Sequence, residues 1–187
     1  MAVVPHTRRF TIKEYYRMAA AGILSENDRV ELIEGEVIEM TPIGARHAGT
    51  VNRLAEMLWR QVRDRAIVQI QNPVRLTALN SEPQPDVAIL RRRLDFYASS
   101  HPEPDHTLLI VEVMDTSHDY DRRVKTPLYA RAGIPEVWLV DLVTDTVEVL
   151  RRPSAEGYKE ARTLGRNERL TIEAFPDVAF SLAELLG

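Results

Sequence analysis

Asp86, Glu112 and Lys125 follow one another along the chain as two carboxylates and one ammonium. Paired carboxylates can hold a hard divalent cation, because such ions prefer oxygen ligands. A bound cation polarises a phosphoryl oxygen and lowers the pKa of a bound water. A lysine beside them can orient that water or stabilise the negative charge that develops in the transition state. The set therefore points to metal-assisted hydrolysis of a phosphodiester.

The surrounding residues suggest how the set is positioned. Asp86 lies in Gln84-Pro85-Asp86-Val87-Ala88-Ile89-Leu90, and Glu112 in Leu108-Leu109-Ile110-Val111-Glu112-Val113-Met114. Both segments read as short buried strands. On a period of two, Glu112 shares a face with Leu108, Ile110 and Met114, so it points where a core belongs. An ionised carboxylate there is costly without a partner. Each residue also has a plainer explanation. Asp86 after a proline suits a turn or strand start. Glu112 suits a salt bridge to an arginine. Lys125 suits a surface ion pair with Asp121, four residues earlier.

The composition sets bounds. At 187 residues, the chain is long enough for one domain spanning 1–187 with a sizeable core. No apolar stretch approaches a membrane span, so no membrane partner is expected. Cysteine is absent, which excludes disulfides and thiolate metal sites. With an N-terminus lacking the apolar core of a signal peptide, this fits a cytoplasmic protein. The net charge of −4 argues against tight nonspecific nucleic-acid binding, but not against a nuclease, for which local patches matter more. Arg91-Arg92-Arg93, Arg122-Arg123 and Arg151-Arg152 are candidate patches, or equally solvated charges.

Along the chain, Thr11-Ile12-Lys13-Glu14 has the spacing of a capping box and predicts a helix that stops near Gly22. Val30 to Met40 predicts a hairpin turning at Glu34-Gly35. His47 to about Arg63 predicts the longest helix, with Val51, Leu54, Leu58 and Val62 on its buried stripe. Ile67 to Leu76 reads as a strand or hairpin arm interrupted by Asn72-Pro73, and strands follow at Pro85 to Leu90 and Leu108 to Met114. Asp119 to Ala132 reads as a helix ending at Gly133; Pro127 requires it either to start near Lys125 or to kink. Glu136 to Asp141 is a further strand, Thr146 to Arg162 a hairpin around Glu156-Gly157, and Ser181 to Leu186 a short helix. A helix linking two neighbouring strands implies a crossover and parallel pairing. The expected fold is α/β of mixed α+β type, a central mixed sheet flanked by helices.

At these residues the sequence resembles the Uma-type family of bacterial endonucleases, within the PD-(D/E)XK restriction-endonuclease-like superfamily. The resemblance runs through Glu31-Leu-Ile-Glu-Gly35-Glu, His47, Gln71-Asn-Pro-Val-Arg75, Pro83-Gln-Pro-Asp86-Val, Ile110-Val-Glu112-Val, Asp121, Lys125, Tyr129 and Gly133-Ile-Pro-Glu-Val-Trp-Leu-Val-Asp141. It implies that Asp86 and Glu112, with the main-chain carbonyl of Val113, hold Mg2+ or Mn2+. The chain departs from the superfamily pattern at Met114, where the lysine two residues after the acid is expected. The resemblance makes Lys125, on the following helix, its substitute. It also implies a role for Glu31 as an extra acid completing the site; the plainer explanation is an edge-strand charge. His47, opening the long helix, is a candidate contact to a phosphate or a metal-bound water, or a solvent-open helix end. Gln84 is expected behind these residues, whereas Asp141 and Trp138 read as structural. His101, His106 and His118 form no convincing zinc set.

The leading expectation is a metal-dependent endonuclease acting on DNA, with a homodimer expected because two symmetric subunits suit duplex cutting. The alternatives are a catalytically silent interaction module on the nuclease fold, and a phosphodiesterase acting on RNA or nucleotides.

Overall fold

The computed structural model describes residues 7–25, 27–115 and 118–187, without the side chain of His118. Its elements are α1 (Ile12–Ala20), β1 (Val30–Ile33), β2 (Glu36–Glu39), α2 (Ala45–Val62), β3 (Ala66–Ile70), β4 (Val87–Arg91), β5 (Thr107–Met114), α3 (His118–Tyr120), a π turn (Asp121–Lys125), α4 (Thr126–Ala132), β6 (Glu136–Asp141), β7 (Thr146–Ser154), β8 (Gly157–Gly165), β9 (Arg169–Ile172), β10 (Phe175–Ser181) and α5 (Leu182–Leu186). Strands β3 to β8 form one mixed sheet in sequence order. Only β5 and β6 are parallel within it, and the helical crossover between them is the reason.

Side-chain alternation divides the apolar residues between the two faces of this sheet. Val87, Ile89, Val111, Val113 and Trp138 pack with Val51, Leu54, Leu58 and Val62 of α2. Ala88, Leu90, Ile110, Met114, Val137 and Leu139 pack with Leu128 and Tyr129 of α4. Glu112, in register with Ile110 and Met114, projects on the α4 face, as the period of two requires.

Thr11 and Glu14 form the expected capping box of α1. No residue of that helix is fully buried; it is tied down instead by the Tyr15 hydroxyl donating to the Val30 carbonyl and the Tyr16 hydroxyl donating to Glu82. The β1–β2 hairpin turns at Glu34 and Gly35, both at positive φ, the twist that suits a two-residue hairpin turn. Gly35 is required there twice over, since an added Cβ would lie 2.8 Å from the Phe10 carbonyl oxygen. Glu82 N–H donates to the Leu32 carbonyl and anchors the hairpin beside the segment that leads into β4.

Between β5 and β6 the outcome at Pro127 is a π turn. Proline has no N–H to give to the carbonyl four residues back, and its ring crowds that carbonyl. The helix widens for one turn over Asp121–Lys125, where Thr126 N–H reaches the Asp121 carbonyl, and resumes as α4 with Pro127 in its first turn. The expectation of a C-terminal hairpin needs one correction. Strands β7 and β8 belong to the central sheet, and a second hairpin, β9–β10, follows as a separate two-stranded sheet. Pro176 obscures β10 in the sequence, although a two-stranded ribbon has room for it at an edge. Leu170, Ile172, Val178 and Phe180 of this ribbon join the core on the α2 side.

Candidate active site

The ends of β4 and β5 bring the first two residues together. Asp86 immediately precedes β4, and its N–H donates to Glu112 Oε2 at 3.3 Å. In return, Val113 N–H donates to Asp86 Oδ2 at 2.9 Å. Each carboxylate is therefore clamped by backbone at or beside the other acid. Gln71 Nε2 adds a contact to Asp86 Oδ1 at 3.3 Å. Gln71 adopts a positive φ, an uncommon conformation for a residue with a Cβ.

Lys125 arrives from the π turn. Its Nζ lies 3.4 Å from Glu112 Oε1, 3.5 Å from Glu31 Oε2 and 3.9 Å from Asp121 Oδ1. It is 5% exposed, so the surface ion pair with Asp121 is instead one edge of a buried cluster. Glu112, 1% exposed, is paired with this lysine and not with an arginine. Glu31 sits in β1, a strand buried along its whole length, which sets aside the edge-charge explanation. Its Oε2 accepts Gln84 N–H at 3.0 Å, and its Oε1 accepts the Tyr120 hydroxyl at 2.9 Å. Gln84 thus lies behind the acids, as expected.

His47 enters from the first turn of α2. Its Nε2 is 3.0 Å from Asp86 Oδ2, and its side chain is 14% exposed, so it is not a solvent-open helix end. Its Nδ1 is buried and has no hydrogen-bond partner among the described residues. All five candidate side chains, Glu31, His47, Asp86, Glu112 and Lys125, line one cavity of about 570 Å³. Its opposite wall is the β2 edge and the loop that leads to α2, with Ile38, Met40, Pro42 and Ile43.

A family model described as "Uma2: Putative restriction endonuclease" matches residues 12–183. The chain belongs to the Uma2 family. It is 25% identical over 174 residues to "Uncharacterized protein sll1609" of Synechocystis sp., covering 91% of this chain and 96% of that protein. It is also similar to the crystal structure of "a putative nuclease belonging to DUF820" from Anabaena variabilis, with a TM-score of 0.75 at 17% identity over 95% of this chain and 97% of that one. That likeness shows the fold, a mixed α/β architecture.

In this Uma2 chain the site gathers several acids around one lysine. Burial pushes the Glu112 carboxyl up to about 8; Lys125 counters this, while Asp121 and Asp86 add to it. Burial alone would lower the Lys125 ammonium, but Glu112, Glu31, Asp121 and Asp86 together raise it, so it stays charged. The hydrogen bond to Asp86 raises the His47 imidazole above its ordinary 6.5, against the opposing effect of burial. Burial drives the Tyr129 phenol well up, so it remains a donor, and its hydroxyl reaches Glu112 Oε1 at 2.6 Å.

Sequence reasoning gave no role to Tyr129, Tyr120 or Gln71. Tyr129 stands one helical turn after Lys125, a spacing that brings two side chains to one face. No such spacing marks Tyr120, at the end of α3; Gln71 lies in the 71–75 stretch that carries the resemblance, but its contact to Asp86 depends on a loop at positive φ. The remaining assignments agree with structure. Asp141 Oδ1 accepts the N–H groups of Val143 and Thr144 in a turn, and Trp138 is core. Of the arginine clusters, Arg93 pairs with Asp95, Arg122 with Glu148 and Arg151 with Glu136, so much of their charge is already compensated. Among the described residues, no three His, Asp or Glu side chains stand in an arrangement that chelates an ion unaided. His118 of the expected non-site has its side chain outside the described residues.

Proposed function

We propose that this protein is a metal-dependent endonuclease that hydrolyses phosphodiester bonds of DNA, with Asp86 and Glu112 holding Mg2+ or Mn2+. The observation that carries this reading is the backbone-clamped pair Asp86–Glu112 on the floor of a cavity where four carboxylates meet one lysine. Oxygen donors suit a hard cation. Charge balance favours one as well, since two neighbouring carboxylates repel and burial already lifts Glu112 to about 8. The Val113 carbonyl follows Glu112 directly and is the third donor in this reading. When bound, the cation supplies Lewis-acid polarisation of the phosphate and a more acidic water.

The protein's own groups do the rest. Lys125 stays protonated and, beside Glu112 and Glu31, stabilises charge that develops on the phosphate. Asp86 holds the His47 ring through Nε2 at the cavity wall, so the pair is positioned together beside Glu112. Tyr129 and Tyr120 fix the carboxylates of Glu112 and Glu31. Water oxygen bonds to phosphorus, the bond from phosphorus to one sugar oxygen breaks, and the leaving oxygen takes up a proton.

One observation favours a silent interaction module instead: Lys125 already bridges Glu31 and Glu112 and compensates part of their charge. Nicking of supercoiled plasmid separates the two. The wild type with Mg2+ or Mn2+ is expected to nick, and Glu112→Ala to fail. Inactivity of both, or equal activity of both, sinks the nuclease assignment.

A further inference from the structure

The proposed catalytic groups line a cavity whose opposite wall carries Ile38, Met40, Pro42 and Ile43, with Glu39 and Thr41 between them. Glu31, Glu112 and Lys125 are 2%, 1% and 5% exposed, and they lie on the floor of a space of about 570 Å³. That is the size of a pocket for a small molecule or a single cofactor, not a trough for a helix of stacked base pairs. Groups buried this deeply are poorly placed to meet a phosphate on the outside of an intact duplex.

The chemistry of the walls is divided. Ile38, Met40 and Ile43 are partly buried and offer an apolar surface of the kind a base face prefers. Two features near the mouth suit phosphate. Arg29 is exposed and makes no ion pair among the described residues. Helix α2 follows Gly44, which provides no side-chain cap, so its first-turn N–H groups face the cavity edge, with the Asp115 carboxylate also nearby. The acidic floor, the apolar side chains of the wall, and Arg29 and the α2 N-terminus at the mouth match a cation, a base and a flanking phosphate, with Glu39 and Asp115 the acids that a phosphate must avoid.

Building on the nuclease reading, we propose that the cavity takes one unstacked nucleotide, so the substrate is single-stranded or locally unpaired DNA. Paired DNA would first have to surrender a nucleotide, with an unstacking cost that a mismatch or an open strand reduces.

The test uses the full chain with Mn2+ and one oligonucleotide in three forms: single-stranded, fully paired, and paired except for a central unpaired stretch. Cleavage of the single-stranded and unpaired forms is expected to be about 10–100-fold faster than that of the paired form. Met40→Ala and Ile43→Ala, both in a surface loop, are expected to raise KM for the single strand severalfold with kcat nearly unchanged. Equal rates on all three forms would overturn the proposal while leaving the nuclease reading intact. So would wall variants with unaltered KM. No cleavage of any form would remove the nuclease reading, and this proposal with it.

Discussion

Two buried glutamates on the same sheet have opposite surroundings. Glu136, at the start of β6, is fully buried, yet its Oε1 accepts the Trp138 indole N–H and two N–H groups of Arg151, while its Oε2 accepts Glu173 N–H. One arginine and neutral donors balance one carboxylate. Glu112, on the neighbouring strand, shares its lysine with Glu31 and Asp121 and lies beside Asp86. Burial raises both carboxyls. The difference is in what offsets it: at Glu136 the neighbours all favour the charged form, whereas at Glu112 two other acids oppose it. Burial of an acid is therefore no sign of function. An acid perturbed by both burial and like-charged neighbours in a cavity is the better sign.

Exchanging glutamine at the two positions gives the largest contrast. Glu112→Gln is expected to lower plasmid nicking by about 10²–10³-fold, with little loss of thermal stability near neutral pH, because the metal-free Glu112 carboxyl, pushed up to about 8, is largely uncharged there. Glu136→Gln is expected to do the reverse. It should leave nicking by the folded protein unchanged and cost about 2 kcal/mol in urea unfolding, since a charge-assisted network is broken around an arginine that keeps some solvent. If both variants lost activity in proportion to stability, the contrast would collapse.

The pH dependence sharpens it next. The folded, metal-free protein holds the Glu112 proton more tightly than an unfolded chain does, with a value near 8 against 4.5. For an acid raised in this way, the stabilising contribution is complete below 4.5 and is lost as pH rises through about 8. Over that window, metal-free wild type should lose stability more steeply than Glu112→Gln, by at most about 1.4 kcal/mol per pH unit. Saturating Mn2+ should flatten the wild-type slope. Parallel slopes for wild type and variant would contradict the raised value.

The smallest effect expected is that of Tyr129→Phe. Loss of the bond to Glu112 Oε1 should cost about 1 kcal/mol of stability and roughly tenfold in nicking. Measured beside Trp138→Phe, which removes a donor to Glu136, it should be the only one of the two to slow folded enzyme.

How far the site could be read in advance depended on the range of the interactions. Strand alternation places Glu112 on the correct face, and the crossover rule makes β5 and β6 parallel, because both rest on periodicity and connection length. Pro127 announces a disturbance near Lys125 without disclosing its form. The π turn depends on how Thr126 and the Asp121 carbonyl meet in three dimensions. Glu31 and Tyr120 are separated from their partners by long stretches of chain, so no local spacing reveals that they share a carboxylate. The β9–β10 ribbon lies in a stretch with no sequence assignment, where Pro176 interrupts the strand pattern that Val178 and Phe180 continue.

The most direct measurement is a calorimetric titration of Mn2+ into metal-free wild type, Glu112→Gln and Glu136→Gln at neutral pH. The account predicts a single site in wild type and Glu136→Gln, with protons released on binding, and an affinity lower by about 10–100-fold or more in Glu112→Gln. No binding to wild type, or equal binding by all three, would mean that the charge around Glu112 is already balanced and that the distinction between the two glutamates is not a functional one.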